Sequence, residues 1–191
     1  MQIKWITRVP EKILAAKELI TSTTELKEIE PGYYAREVSS TYEEIEQRWL
    51  LVHSQQAHAR EEKTLRKQVR KEFERAKIEI TKLSHQDFDC EHDAHEQLRR
   101  WAQNLKYHHI LTAQIAVRHV KQGRGRPRLN EPLEQKYRIQ GELQEDAERI
   151  DQALMTKGRF IVATNELDHN KLTAKEMLFN YKEQQAVERG F

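Results

Sequence analysis

Three polar residues near the end of the chain are spaced for joint chemistry. Tyr181, Gln184 and Glu188 fall at i, i+3 and i+7 within Tyr181-Lys-Glu-Gln-Gln-Ala-Val-Glu-Arg-Gly-Phe191. On a helix that spacing stacks side chains along one face, so a carboxylate is held beside a phenol and an amide. Arg189 is rotated about 100 degrees from Glu188 and belongs to a neighbouring face. The same pattern also suits an amphipathic helix with a tyrosine at its border and a glutamate on its wet side.

A second group is basic. Gly123-Arg-Gly-Arg-Pro-Arg128 is flanked by Lys121 and followed by Leu129-Asn130. It resembles the Gly-Arg-Pro core of an AT-hook, a flat peptide whose arginines enter a narrow, strongly negative minor groove. Arg124, Arg126, Arg128 and Lys121 are therefore the candidate DNA contacts; the competing reading is a solvated turn at a ribbon tip.

Other polar clusters carry less. Asp87, Asp89, Glu91 and Glu96 lie near His92 and His95, which stand at i and i+3. That cluster lacks the His-Glu-x-x-His spacing of zinc proteases, and acids at a helix start follow from the macrodipole, so a solvated helix start is the preferred reading. His108 and His109 alternate faces on a strand and cannot chelate one ion from one side. Trp49 and Trp101 read as core anchors. No glycine-rich phosphate cradle or Gly-x-Ser-x-Gly elbow is present.

Composition bounds what can hold these groups. The 191 residues suit one domain or two small ones and can bury about 70% of the unfolded chain's surface. Hydrophobic residues make up 37% and charged residues 34%, which favours long solvated helices and exposed ribbons over one thick globule. A formal charge of +2 leaves any nucleic-acid attraction to local patches. Cys90 is the only cysteine, which excludes an intrachain disulfide and fits a reducing cytosol. There is neither an apolar run of membrane-spanning length nor the apolar segment of a signal peptide, so the expectation is a soluble, cytoplasmic chain with no membrane partner.

The elements that position the candidates follow from periodicity. Ile3 to Val9 alternates as a strand and runs into Pro10, the expected first position of a helix over 11–20 striped by Ile13, Leu14, Ala16, Leu19 and Ile20. Pro31-Gly32 marks a turn between Leu26–Glu30 and a strand over Tyr33–Tyr42, and Arg48–His53 reads as a further strand. Ser54 to Ser84 lacks Gly and Pro and predicts a long exposed helix with Leu65, Val69, Phe73, Ile78, Ile80 and Leu83 as its stripe. A helix over 91–105 follows, and then strands over Tyr107–Val120 and Gln135–Leu143 as an antiparallel hairpin. Glu145 to Lys157 predicts a helix ended by Gly158, and Arg159–Asn165 a strand buried on both faces. Thr173 with Glu176 predicts a capping box opening the last helix, with Leu178, Tyr181, Gln185 and Val187 on or near its buried side. Asp168, just past that strand, suits a loop or capping role.

Several of these segments together resemble the DDE-type insertion-sequence transposases. They are Trp5-Ile-Thr-Arg-Val-Pro10, the charged helical stretch, the Gly-Arg-Gly-Arg-Pro tip, Gly158-Arg-Phe-Ile-Val-Ala-Thr-Asn165 and Tyr181 to Phe191. The last is similar to the family's Tyr-x2-Arg-x3-Glu-x6-Lys signature, with Gln184 in the arginine position and the lysine beyond Phe191. The resemblance implies an α/β (α+β) chain. Residues 1–24 and 146–191 would belong to a partial ribonuclease-H-like catalytic core, and 25–145 to an insertion of strands, long charged helices and an arginine-tipped hairpin. It implies that Glu188 is the third metal-binding acid, supported by Tyr181 and Gln184. Family enzymes hold two divalent ions, Mg2+ or Mn2+, between three carboxylates for DNA cleavage and strand transfer at transposon ends.

By this resemblance both catalytic aspartates precede Met1, so the chain is expected to be a fragment, inactive alone and without bound metal. A bare opening strand at Ile3 and a helical pattern running into Phe191 prompt the same expectation. Its implied partners are transposon-end DNA and a second copy or an intact transposase. The alternative is a non-catalytic DNA-binding or inhibitory fragment that acts through the tip.

Overall fold

A computed structural model describes residues 3–42, 44–121 and 133–189, the side chains of 186, 188 and 189 excepted. In chain order the elements are β1 (Ile6–Arg8), α1 (Leu14–Thr21), β2 (Lys27–Glu30), β3 (Tyr33–Tyr42), β4 (Ile45–Ser54), α2 (Gln55–His85), α3 (Glu91–Ala102), β5 (His108–Lys121), β6 (Leu133–Glu145), α4 (Ala147–Met155), β7 (Arg159–Thr164) and α5 (Ala174–Arg189). The class is α+β, with two antiparallel sheets. No helix among the described residues is long and apolar enough to cross a membrane.

The chain forms two compact units, residues 1–64 with 153–191 and residues 65–152. These boundaries differ from the expected ones at 24/25 and 145/146, because β2, β3 and β4 share one sheet with β1 and β7.

The first unit holds that sheet, in the order β1-β7-β4-β3-β2. Strand alternation sends Trp49, Leu51, Ile161 and Ala163 to one face, against Ala16 and Ile20 of α1. Leu50, Val52 and Val162 go to the other face, against Met177, Leu178 and Tyr181 of α5. Strand β7 is therefore covered on both faces, as its continuous apolar run predicts, and Ile161, Val162 and Ala163 are buried. Gly32, at φ +78°, supplies the left-handed residue of the β2–β3 turn.

Two local expectations are corrected here. Helix α1 starts at Leu14 rather than at residue 11, because the Pro10 carbonyl is taken by Ile13 N–H in a turn, and Leu14 points to solvent at 70% exposure. Val187 is 61% exposed, so the buried face of α5 ends near Gln185.

The second unit packs α3 and the end of α2 on the β5–β6 ribbon, with Ile80, Phe88, Ala94, Leu98 and Ile139 as its core. Ile78 falls outside the α2 stripe and is 58% exposed. Cys90 caps α3 through an Asp93 N–H···Sγ contact of 3.3 Å. Strands β5 and β6 pair from His108↔Glu145 to Lys121↔Leu133 with a shift between Leu111 and Gln114; β6 runs longer than the expected Gln135–Leu143, while β5 is displaced by one residue. Trp101 is partly buried on this core and donates its indole N–H to Glu79 at 2.9 Å.

Candidate functional site

Helix α5 is fixed at its start and along one face. Glu176 Oε2 accepts hydrogen bonds from the Thr173 N–H and hydroxyl, both at 2.8 Å, while Glu176 N–H donates back to Thr173 Oγ1 at 3.3 Å. These bonds from the Thr173 backbone and side chain hold the Glu176 carboxyl below its usual range. Four residues on, Met177 and Leu178 are fully buried, and Tyr181 is 7% exposed. The Tyr181 ring packs on Phe160 of β7, centroids 5.7 Å apart.

Of the three spaced residues, Tyr181 anchors the helix, and its hydroxyl accepts from Gln185 Nε2 at 2.5 Å. Gln184 is exposed, and its side chain makes no hydrogen bond to another described residue. The expected tyrosine–amide pairing is therefore made by Gln185, one position further on, because i+4 brings a long side chain back over the tyrosine. Glu188 lies in the last turn of α5, and its side chain is outside the described residues.

Beside Tyr181 opens a cleft of about 230 Å³ between the start of α2, the Gly158 turn and α5. Arg8, Arg60 and Lys182 line it, together with Tyr33, Phe160 and Tyr181. The Arg8 guanidinium lies 5.5 Å from the Phe160 ring centroid, and Lys182 Nζ is 3.7 Å from that of Tyr33. Lys182 also pairs with Glu30. The junction is tight: Gly158 has φ +69°, and a Cβ there would lie 2.6 Å from Ser54 O and from His58 N. Its N–H donates to Glu61 at 3.2 Å. Sequence reasoning missed this cleft, since its cations come from positions 8, 60 and 182 and no local motif links them.

The remaining candidates are placed as follows. Arg124, Arg126 and Arg128 lie outside the described residues, while Lys121 closes β5 opposite Leu133. Asp168 shapes the turn before α5: its Oδ1 accepts from Asn170 N–H at 2.9 Å and its carbonyl from Lys171 and Leu172. Asp87 and Asp89 pair with Arg138 and Lys136 of β6. Among the described residues no three His, Cys, Asp or Glu side chains converge as a metal site needs. They therefore do not make up a three-carboxylate set.

Two buried polar clusters were not foreseen. In the first unit Arg48, 3% exposed, donates to the Leu172 carbonyl and lies 3.4 Å from Glu37, whose carboxylate is also 2.7 Å from His169 Nδ1. In the second, Glu72 Oε1 lies 2.9 Å from Nδ1 of buried His108 and accepts the N–H groups of Tyr107 and Lys106. Burial pushes the Glu72 carboxyl up, but the bonds from His108, Tyr107 and Lys106 outweigh it and leave it lowered. A His-His pair beginning a strand was the only signal for this cluster, and it was read as face alternation alone. No family model, curated protein or solved structure matches this chain.

Proposed function

We propose that the chain is part of a DDE-type insertion-sequence transposase, the part that carries the third acidic residue, Glu188, on its closing helix. One observation carries the reading. The two ends of the sequence meet in one sheet, β1 pairing with β7 through Ile6↔Thr164 and Arg8↔Val162, with α5 packed on that sheet's face. A carboxylate needed at a fixed position is well served by a helix capped at Thr173 and anchored at Tyr181, because rigid elements hold reacting groups more closely than loops do.

On this reading the sheet of the first unit is the partial ribonuclease-H-like core. The chain alone does not cut or join DNA, since the two further acids of the family must come from elsewhere. Divalent metal, Mg2+ or Mn2+, enters only with the completed set. Joining a segment that supplies two strand-end aspartates to residues 1–191 tests this: metal-dependent strand transfer should appear, and should be absent from the chain by itself.

A second reading is favoured by the pairing of β5 with β6, the two strands between which the arginine-rich segment 123–128 falls in sequence: a non-catalytic DNA-binding or inhibitory fragment. Its mark is a DNA shift without divalent metal that is lost when Arg124, Arg126 and Arg128 are replaced by alanine. Each phosphate contact removed should flatten the salt dependence by about 0.9 in log–log slope.

A further inference from the structure

We infer that the cleft beside Tyr181 is a phosphodiester-binding site, with Arg8, Arg60 and Lys182 as its cationic contacts. The inference rests on the reading of this chain as a DNA-handling protein and adds Arg8, Arg60 and Lys182 to its expected DNA contacts.

Charge is the first argument. Among the described residues Glu61 is the only carboxylate lining the cleft, and it accepts the Gly158 N–H. Of the three cations, Lys182 is held by Glu30, and Arg8 makes a single exposed contact with Glu11 at 3.4 Å. Arg60 is exposed and has no ion pair with another described residue. A fourth cation, Arg159, donates to the carbonyls of Ile20 and Ser22 and is not counted. Three cations against one carboxylate among the described lining residues leave a net positive concave surface that attracts an anion, and guanidinium groups match phosphate oxygens in geometry.

Shape and chemistry narrow the anion. The cationic ends stand among three aromatic rings, and Gln56 and Gln185 add hydrogen-bonding amides at the rim. Arg8 and Lys182 already lie over two of these rings, so the groups left to a ligand are charges and amides, which suit the phosphates of a nucleic-acid backbone contacted without reading its sequence. Gly158 allows α2 and the β7 turn to close up, so the first turn of α2 forms one wall, and no acidic residue occupies that turn.

Arg60 is the residue to test, because it is exposed and its loss removes no internal contact. Anisotropy of the full chain with a labelled DNA duplex, over a salt series, gives the readout. Arg60→Gln and Arg8→Gln are expected each to weaken binding roughly threefold to tenfold and to lower the salt slope by about 0.9, with an unchanged circular dichroism spectrum. Unchanged affinity and slope in both variants, while the triple alanine variant of Arg124, Arg126 and Arg128 loses binding, overturns the cleft and leaves the DNA reading standing. A wild-type chain that binds no duplex overturns both. Inorganic phosphate is the control for a small-anion site: if it raises the melting temperature of wild type but not of Arg60→Gln, and duplex binding is the same in both, the cleft takes a free anion and the inference fails.

Discussion

Phe160 and Tyr181 pack in a tilted pair across the interface between β7 and α5, ring centroids 5.7 Å apart, and through this pair the closing helix is tied to β7. The pair predicts a contrast between two substitutions. Tyr181→Ala removes a buried ring and should cost about 3 kcal/mol. Tyr181→Phe removes only the hydroxyl that accepts from Gln185 and should cost about 1 kcal/mol. Chemical denaturation of both variants measures the difference, and equal losses would mean that the ring does not anchor α5.

Gly158 should tolerate no side chain. Its positive φ costs a non-glycine residue about 1–3 kcal/mol, and an added Cβ also meets the backbone of Ser54 and His58 at 2.6 Å. Gly158→Ala should therefore lower the melting temperature strongly. A melting temperature for Gly158→Ala within a degree or two of wild type would contradict the close approach.

Acidification should weaken the fold through His53. Burial, then the nearby charges of His58 and Arg159, hold its imidazole below the ordinary value, which is about 6.5. As pH falls, the unfolded chain takes up the proton first, so this contribution is present above that value and is lost as pH drops toward the lowered one. The melting temperature should therefore fall between about pH 7 and pH 5, and His53→Gln should flatten that fall. An equally steep fall in the variant would remove His53 as the source.

Much of this architecture is legible locally. The Pro31-Gly32 turn, the breaker-free stretch that becomes α2, the apolar run of β7 and the Thr173–Glu176 box are each set by neighbours in sequence, and each appears where expected. Pro10 misled because its carbonyl closes a turn with Ile13 before α1 begins. Sheet order could not be read, since the pairing of β4 with β7 joins residues more than a hundred positions apart. The same holds for the candidate site. The spacing of Tyr181, Gln184 and Glu188 defined a helix face, but the partner of the Tyr181 hydroxyl is Gln185, and the cations beside it converge only in the folded chain.

Strand transfer decides whether α5 delivers a catalytic carboxylate at Glu188, as proposed. Residues 1–191 joined to a segment bearing two strand-end aspartates should transfer transposon-end DNA in the presence of Mg2+ or Mn2+. Glu188→Ala in that protein should abolish transfer while leaving DNA binding and the melting temperature intact. Transfer retained by the Glu188→Ala protein would contradict the assignment.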